Sequence, residues 1–204
     1  MFAIVQSLGW PVWPLIIASI VALALIIERA AALRAIRIVP PTLLQDVLSL
    51  HSKRQVTSEV INRLEQSSSL GRVLAAGLRS ERGPRDLAGH AMQSAGAHAA
   101  HELSRYLTLL GSVGSIAPLL GLFGTVVGMI DIFASQQAGS NPQQLAQGIS
   151  LALYSTAFGI IVAVPAVLAY RHFRTRVENY LVDMEVQGQR LLDALYADRA
   201  TRLA

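Results

Sequence analysis

The chain has 204 residues, of which 52% are hydrophobic and 15% charged, and its mean hydropathy is +0.45. It contains no cysteine, which excludes disulfides, thiol catalysis and cysteine-based metal sites. The net charge is +4, but the arginines are scattered without interleaved aromatic residues or a recognition motif, so nucleic acid is not predicted as a partner.

The first predicted membrane span runs from Trp10 to about Ile27 and carries no charge. Trp10 and Trp13 lie at its outer edge, where tryptophan side chains favour the membrane interface. No basic residue precedes the apolar run, whereas Glu28, Arg29, Arg34 and Arg37 follow it. A cleaved signal peptide has the reverse charge order, so this segment is predicted to be a span that enters the cytoplasm.

The segment from Glu28 to Arg105 is polar and is predicted to be a cytoplasmic helical loop. Pro40 and Pro41 are expected to end the helix that leaves the membrane. Asp86, after the turn at residues 82–84, is predicted to cap a long helix that runs into the second span. Three short amphipathic helices are expected between these points, at Thr42–Leu50, Thr57–Leu64 and Leu70–Leu78.

Two further spans are predicted, at Leu107–Ile130 and Ile149–Tyr170, joined by a polar loop at Gln136–Gln147. Between Arg105 and Arg171 the only formal charge is Asp131. A charged helix should follow at Arg171–Leu195, because its apolar residues recur at a spacing that forms one helical face. These residues are Phe173, Val177, Tyr180, Met184, Leu191 and Leu195.

The distribution of basic residues predicts the topology. All 17 Lys and Arg fall after span one, before span two or after span three, and none lies in the first ten residues or the polar loop. The positive-inside rule therefore places the N-terminus and the polar loop outside and the polar mass in the cytoplasm. The predicted fold is all-α and divides into residues 1–37 (first span and extension), 38–105 (cytoplasmic loop), 106–170 (transmembrane hairpin) and 171–204 (C-terminal helix).

Small residues line one side of spans two and three. Gly114, Gly121 and Gly128 recur every seven residues, which places them close to one helical face. Small residues allow helices to approach closely in lipid, so the pattern predicts a packed helix assembly and leaves open whether that assembly encloses a lumen. The candidate packing or pore-lining residues are Gly114, Pro118, Gly121, Gly124, Gly128, Leu151, Ala152, Gly159 and Ala163.

Hydroxyl groups are the principal polar side chains of these spans, and no carboxylate lies in the middle of any span. Membrane Ser and Thr hydroxyls usually bond to their own helix backbone, and the alternative is a wetted path that orients water. Asp131, at the outer end of span two, is interpreted as a solvated end-of-helix residue. The histidines lack partners for a metal set, and no catalytic motif is present, so we predict no metal, cofactor or enzymatic activity. The hydroxyl residues are Thr108, Ser112, Ser115, Thr125, Ser150, Tyr154, Ser155 and Thr156.

Two motifs carry a resemblance to a known family. The run GSIAPLLGLFGTVVGMI (114–130) resembles the second span of the ExbB/TolQ/MotA proton-channel family, and GISLALYSTAFG (148–159) with IIVAVPA (160–166) resembles the third. The resemblance covers essentially the whole chain and is closest to the ExbB branch, the biopolymer transport proteins of the TonB system.

The resemblance implies a bacterial inner-membrane ring, expected to be a pentamer, whose second and third spans line a lumen. It further implies a single-span ExbD-like partner that supplies an aspartate, and a TonB-like protein that is driven by proton motive force. The family's two functional threonines correspond to Thr125 and Thr156, so the implied proton path contains both, with Ser155 beside them. Many members carry a glutamate where this chain has Leu151, which removes that carboxylate from any role here.

Several functions remain open at this point. The favoured one is an ExbB-type energiser of TonB-dependent uptake, and its sibling is a TolQ-type subunit that serves envelope integrity. A membrane scaffold without ion conduction is a different class. A transporter that binds a solute itself is a further class, but the sequence contains no broken-helix pair with converging polar residues.

Overall fold

A computed structural model describes residues 10–135 and 142–203, and within these ranges the chain consists of helices and short connections. This confirms the all-α prediction. A 3-10 turn at Trp10–Val12 precedes the first α-helix. The α-helices of the described ranges are α1 Trp13–Ala32, α2 Ala35–Ile38, α3 Leu43–Ser52, α4 Ser58–Ser67, α5 Ser69–Arg79, α6 Arg85–Ser104, α7 Leu107–Ser135 and α8 Pro142–Leu203.

Three helical stretches are long and apolar enough to cross a bilayer, judged by length and composition. The first is Trp13–Ala32, and the others lie within Arg85–Ala134 and Leu145–Ala197. The second and third predicted spans fall within these stretches, and the first, predicted from Trp10, begins in the stretch only at Trp13. The chain divides into two compact units, which are described separately.

The first compact unit, here called the span unit, comprises Met1–Arg29 and Tyr106–His172. Its described core contains Leu15 of α1, Ala117 of α7 and Ala163 of α8, with exposed fractions of 1%, 0% and 5%. The span unit therefore joins three helices through one leucine and two alanines, which is the close packing that small residues permit.

The second compact unit, here called the polar unit, comprises Ala30–Arg105 and Phe173–Ala204. Leu70 and Leu74 of α5 and Leu191 of α8 are fully buried in it, as is Met184. The predicted apolar face of the C-terminal helix is confirmed, because all six of its residues are buried. The Tyr180 hydroxyl donates to the carbonyl oxygen of Leu33 at 3.0 Å, which ties α8 to the segment after α1.

The predicted end of the first helix at Pro40 and Pro41 was wrong. Helix α1 ends at Ala32, Arg34 is extended, and the one-turn helix α2 follows. Leu33 and Ile38 are both buried, with exposed fractions of 1% and 3%. Five positions apart on a continuous helix they would point about 140° away from each other, so the break at Arg34 lets both side chains reach the core.

The predicted cap and continuity of the helix before the second span were also wrong. Pro84 occupies the N-cap position of α6, and Asp86 lies in its first turn, where a carboxylate still favours the helix dipole. Helix α6 ends at Ser104, and Tyr106 adopts a left-handed backbone with φ 66°, so α7 is a separate helix. Nothing in the identity of a tyrosine signals that conformation.

The predicted polar loop at 136–147 was wrong for residues 142–147. Helix α8 begins at Pro142, so Pro142–Gln147 are helical. Proline is well accommodated in the first turn of a helix, where its missing N–H is not needed. Residues 136–141 lie outside the described residues.

An ion pair joins α5 to α6 in the polar unit. Arg72 forms a two-pronged hydrogen bond with Glu102, one prong measuring 2.8 Å from Nη1 to Oε1. This hydrogen bond lowers the pKa of Glu102 below its ordinary value and raises that of Arg72. A lowered carboxyl pKa gives stability that is present above the unfolded-state pKa, about 4.3, and lost as pH falls through the folded-state pKa.

We expect Glu102→Gln to lower the unfolding free energy at pH 7 by at most about 1 kcal/mol, since the pair is solvent-screened. The difference from the native protein should shrink below about pH 4. Thermal unfolding of the detergent-solubilised protein between pH 3 and 8 measures this. Glu59→Gln is the matched control, because Glu59 pairs with Arg63 but both side chains are 83% exposed. If the Glu102→Gln variant is less stable than the native protein by the same amount at every pH, the explanation from the lowered pKa of Glu102 is contradicted.

Candidate functional site

The backbones of helices α7 and α8 approach each other closely at two glycines, Gly121 and Gly159. A β-carbon on Gly121 would lie 2.7 Å from the carbonyl oxygen of Ser155 and 3.0 Å from Cα of Thr156. A β-carbon on Gly159 would lie 2.7 Å from the carbonyl oxygen of Ala117 and 3.1 Å from Cα of Gly121. Contacts this short with backbone atoms require glycine on both helices.

This crossing brings together the hydroxyls of Thr125 and Thr156. Thr125 lies one helical turn after Gly121, and its Oγ1 is 2.5 Å from Oγ1 of Thr156. Both side chains are half-buried. The two threonines are 31 positions apart in sequence, and the close approach of the backbones at Gly121 and Gly159 allows their short side chains to meet.

Backbone carbonyl oxygens surround the threonine pair. Thr125 Oγ1 is 3.0 Å from the carbonyl oxygen of Ala152 and 3.2 Å from that of Gly121. Thr156 Oγ1 is 3.4 Å from the same Gly121 oxygen. Each hydroxyl carries one proton, so either threonine can donate a hydrogen bond to the other while the accepting hydroxyl donates its own hydrogen bond to a carbonyl oxygen. The pair can thus reverse its hydrogen-bond direction without leaving a hydroxyl unpaired.

Three other hydroxyls bond to their own helix. Ser112, Ser115 and Ser150 each donate to the carbonyl oxygen four residues earlier, at 3.0 Å in every case. These are the local bonds usual for serine in membrane helices. The open question about the span hydroxyls is therefore resolved for these three residues in favour of backbone bonding. Ser155 is buried, with an exposed fraction of 2%, and Tyr154 is 52% exposed.

The remaining predicted site residues lie along the same pair of helices. A β-carbon on Gly114 would lie 2.6 Å from Cγ2 of Val167, and one on Gly128 would lie 3.2 Å from Cβ of Ala152. Gly124 is buried, while Pro118 and Leu151 are half-buried. Ala152 and Ala163 are buried, with exposed fractions of 4% and 5%. Several small residues of the predicted stripe thus lie at the contact between α7 and α8 of one chain, with the threonine pair beside them.

One cluster of the span unit was missed by the sequence reasoning. Arg29, in the last turns of α1, is only 6% exposed and bonds to both carboxylate oxygens of Glu28. Its guanidinium also lies 5.1 Å from the ring centre of Tyr106, a distance at which a cation is attracted to an aromatic face. An Arg at the end of a span is ordinary, and the signal that could have been noticed is the tyrosine just before the next span.

Asp131 lies exposed on α7, four residues before the last helical residue of the described range. Within residues 10–135 and 142–203, no three His, Asp or Glu side chains are arranged as a candidate metal site. The candidate site of the span unit is therefore a pair of neutral hydroxyls among backbone carbonyls.

Comparison with known proteins identifies the family. Residues 65–186 match the model of the MotA/TolQ/ExbB proton channel family, and this range includes both threonines and both glycines of the crossing. The chain belongs to this family. Among its relatives is the ExbB-like 3 biopolymer transport protein of Synechocystis, which is 34% identical over 183 residues, covering 86% of each chain.

The names of two further relatives refer to two different systems. The biopolymer transport protein exbB1 of Vibrio cholerae is 32% identical over 173 residues, covering 79% of this chain and 74% of its own. The Tol-Pal system protein TolQ of Pseudomonas aeruginosa is 41% identical over 92 residues, covering 43% of this chain and 39% of its own. Both branches of the family are therefore represented among the relatives of this chain.

Proposed function

We propose that this chain is the channel subunit of an inner-membrane complex that uses proton motive force to drive TonB-dependent uptake across the outer membrane. The observation that carries the proposal is the Thr125–Thr156 hydroxyl pair at 2.5 Å, set between two apolar helices of a proton-channel family member. The pair can orient water or hand on a proton in either direction, as a proton path requires.

The hydroxyl pair cannot store a proton, because alcohols do not titrate near neutral pH. Intramembrane carboxylates are the usual carriers in proton-driven machines, and spans two and three contain none between Leu107 and Ile130 or between Ile149 and Tyr170. The family glutamate position is Leu151. We therefore assign the titrating acid to the aspartate of a single-span ExbD-like partner, which would sit beside the threonine pair.

The assembly we propose is a ring, expected to be a pentamer, with spans two and three toward a lumen that holds the partner. In this assembly the N-terminus and the chain segment between the second and third spans lie outside, because all 17 Lys and Arg fall in the other segments. Each charge that crosses 100 mV releases about 2.3 kcal/mol, so such a motor must pass several protons to move a TonB-like protein mechanically.

A TolQ-type role in envelope integrity is the second candidate, and the 41% identity with TolQ of Pseudomonas aeruginosa favours keeping it. The ExbB-like 3 protein and exbB1 match over 86% and 79% of the chain, against 43% for this TolQ, which favours the uptake role. A non-conducting scaffold would require the 2.5 Å hydroxyl pair to be incidental.

Deletion of the gene in its host tests the proposal. We expect lost growth on iron–siderophore complexes, restored by the native chain, with detergent resistance unchanged. Loss of detergent resistance with normal iron uptake would assign the TolQ role instead. Normal growth in both conditions, or complementation that persists when the membrane potential is collapsed, would overturn an energising role.

A further inference from the structure

Residues 33–38, which follow the first membrane helix, have an inward side of buried residues and an outward side of exposed residues. On one side, Leu33 and Ile38 are buried, and the Leu33 carbonyl accepts the Tyr180 hydroxyl. On the other side, Arg34, Ile36 and Arg37 are exposed. The inward side fixes this segment to the polar unit, so the outward side, which carries Arg34, Ile36 and Arg37, is a fixed surface.

The outward side is unusual in its composition. Ile36 is 73% exposed, more than any other large hydrophobic residue of the described ranges. In those same ranges neither Arg34 nor Arg37 forms an ion pair, and the nearest acid in sequence, Glu28, is occupied by Arg29 at 2.5 Å. An isoleucine flanked by two cations combines an apolar anchor with positive charge, which is the pattern of segments that bind at anionic membrane surfaces.

The position of this segment along the chain limits how far it can lie from the bilayer. Ile36 is nine residues beyond Ile27, the last residue of the charge-free run of α1. The five helical residues to Ala32 rise about 8 Å, and the next four reach at most about 14 Å. The headgroup layer begins where the hydrocarbon ends and is about 5–8 Å thick. The segment therefore stays within about 22 Å of the hydrocarbon, and a lipid surface is the partner that α1 keeps near these side chains.

We propose that residues 34–37 form a docking surface for anionic phospholipid, with Ile36 in the interface and Arg34 and Arg37 on lipid phosphates. The proposal rests on α1 being a span and is independent of whether the assembly conducts protons. Each arginine is expected to increase the affinity for an anionic over a neutral surface by about fivefold.

The absence of cysteine allows a direct test. The full chain carrying Ile36→Cys is labelled with a nitroxide and reconstituted in vesicles of phosphatidylcholine, with or without 30% phosphatidylglycerol. Electron paramagnetic resonance then compares collision rates with oxygen and with a water-soluble nickel chelate. Ile20→Cys, in mid-α1 at 63% exposure, is the lipid control, and Val182→Cys, on the polar unit at 57%, is the water control.

We expect the label at residue 36 to favour oxygen over nickel relative to residue 182, and more strongly when phosphatidylglycerol is present. Arg34→Gln with Arg37→Gln should remove the lipid dependence, whereas Arg63→Gln, at an 83% exposed position on α4, should not. If the label at residue 36 collides with the nickel chelate as often as the label at residue 182 does, the proposal is overturned. It is also overturned if the label at residue 36 is shielded from both oxygen and the nickel chelate, because that result indicates a protein partner. Collision rates at residue 36 that do not change when phosphatidylglycerol is added also overturn the proposal. If the label at residue 20 does not favour oxygen over nickel, the assignment of α1 as a span is wrong. The control therefore distinguishes a failure of the span assignment from a failure of the docking proposal.

Discussion

Replacing Thr156 by valine is expected to abolish proton-driven uptake while leaving the protein folded and assembled. Valine keeps the branched shape of threonine and removes only the hydroxyl. Thr125 then still has the carbonyl oxygens of Ala152 at 3.0 Å and Gly121 at 3.2 Å as acceptors. The cost to stability should thus be that of one hydrogen bond, about 1 kcal/mol, whereas the hydroxyl pair itself is gone.

Growth on iron–siderophore complexes measures the activity, and size-exclusion chromatography of the solubilised complex measures the assembly. Thr156→Ser restores a hydroxyl at the same position and should recover most of the uptake. Ser150→Ala is the matched control, because the Ser150 hydroxyl bonds only to its own helix at Ala146 among the described contacts. Normal uptake by the valine variant would remove Thr156 from the proton path.

Much of the span unit could be predicted from local sequence. Charge-free apolar runs and the distribution of arginine located the spans, and the seven-residue spacing of glycine located the face of α7 that meets α8. The threonine roles came from the resemblance to a family. Spacing alone could not show that Thr125 and Thr156 meet, because that depends on how α7 and α8 are aligned along each other.

The errors fall where a tertiary contact overrides a local signal. The first helix ends at Ala32 because Leu33 and Ile38 must reach one core, and a helix cannot direct both there. The break before α7 depends on a left-handed Tyr106, a conformation that residue type does not disclose. Arg29 was counted as an ordinary basic residue, although its partners Glu28 and Tyr106 leave it only 6% exposed.

The second large effect is expected at Gly121, where the two spans touch through their backbones. Gly121→Ala places a β-carbon 2.7 Å from the Ser155 carbonyl oxygen and 3.0 Å from Cα of Thr156. These are backbone atoms, so the helices must separate rather than a side chain turn away. We expect a loss of about 1–3 kcal/mol from overpacking, offset in part by the higher helix propensity of alanine, about 1 kcal/mol.

The separation should affect activity more than stability. A shift of a few tenths of an ångström at Gly121 is transmitted to Thr125, one turn away, and lengthens the 2.5 Å distance to Thr156. Gly96→Ala is the matched control, since a β-carbon there would meet nothing within 4 Å, and it should be neutral or slightly stabilising. Gly128→Ala, at 3.2 Å from the Ala152 Cβ, should be intermediate. Thermal unfolding and growth on iron–siderophore complexes are measured on all three variants. The losses should be largest for Gly121→Ala, intermediate for Gly128→Ala and smallest for Gly96→Ala. Equal unfolding temperatures and equal growth of the Gly121→Ala and Gly96→Ala variants would show that the backbone contact does not set the distance between Thr125 and Thr156.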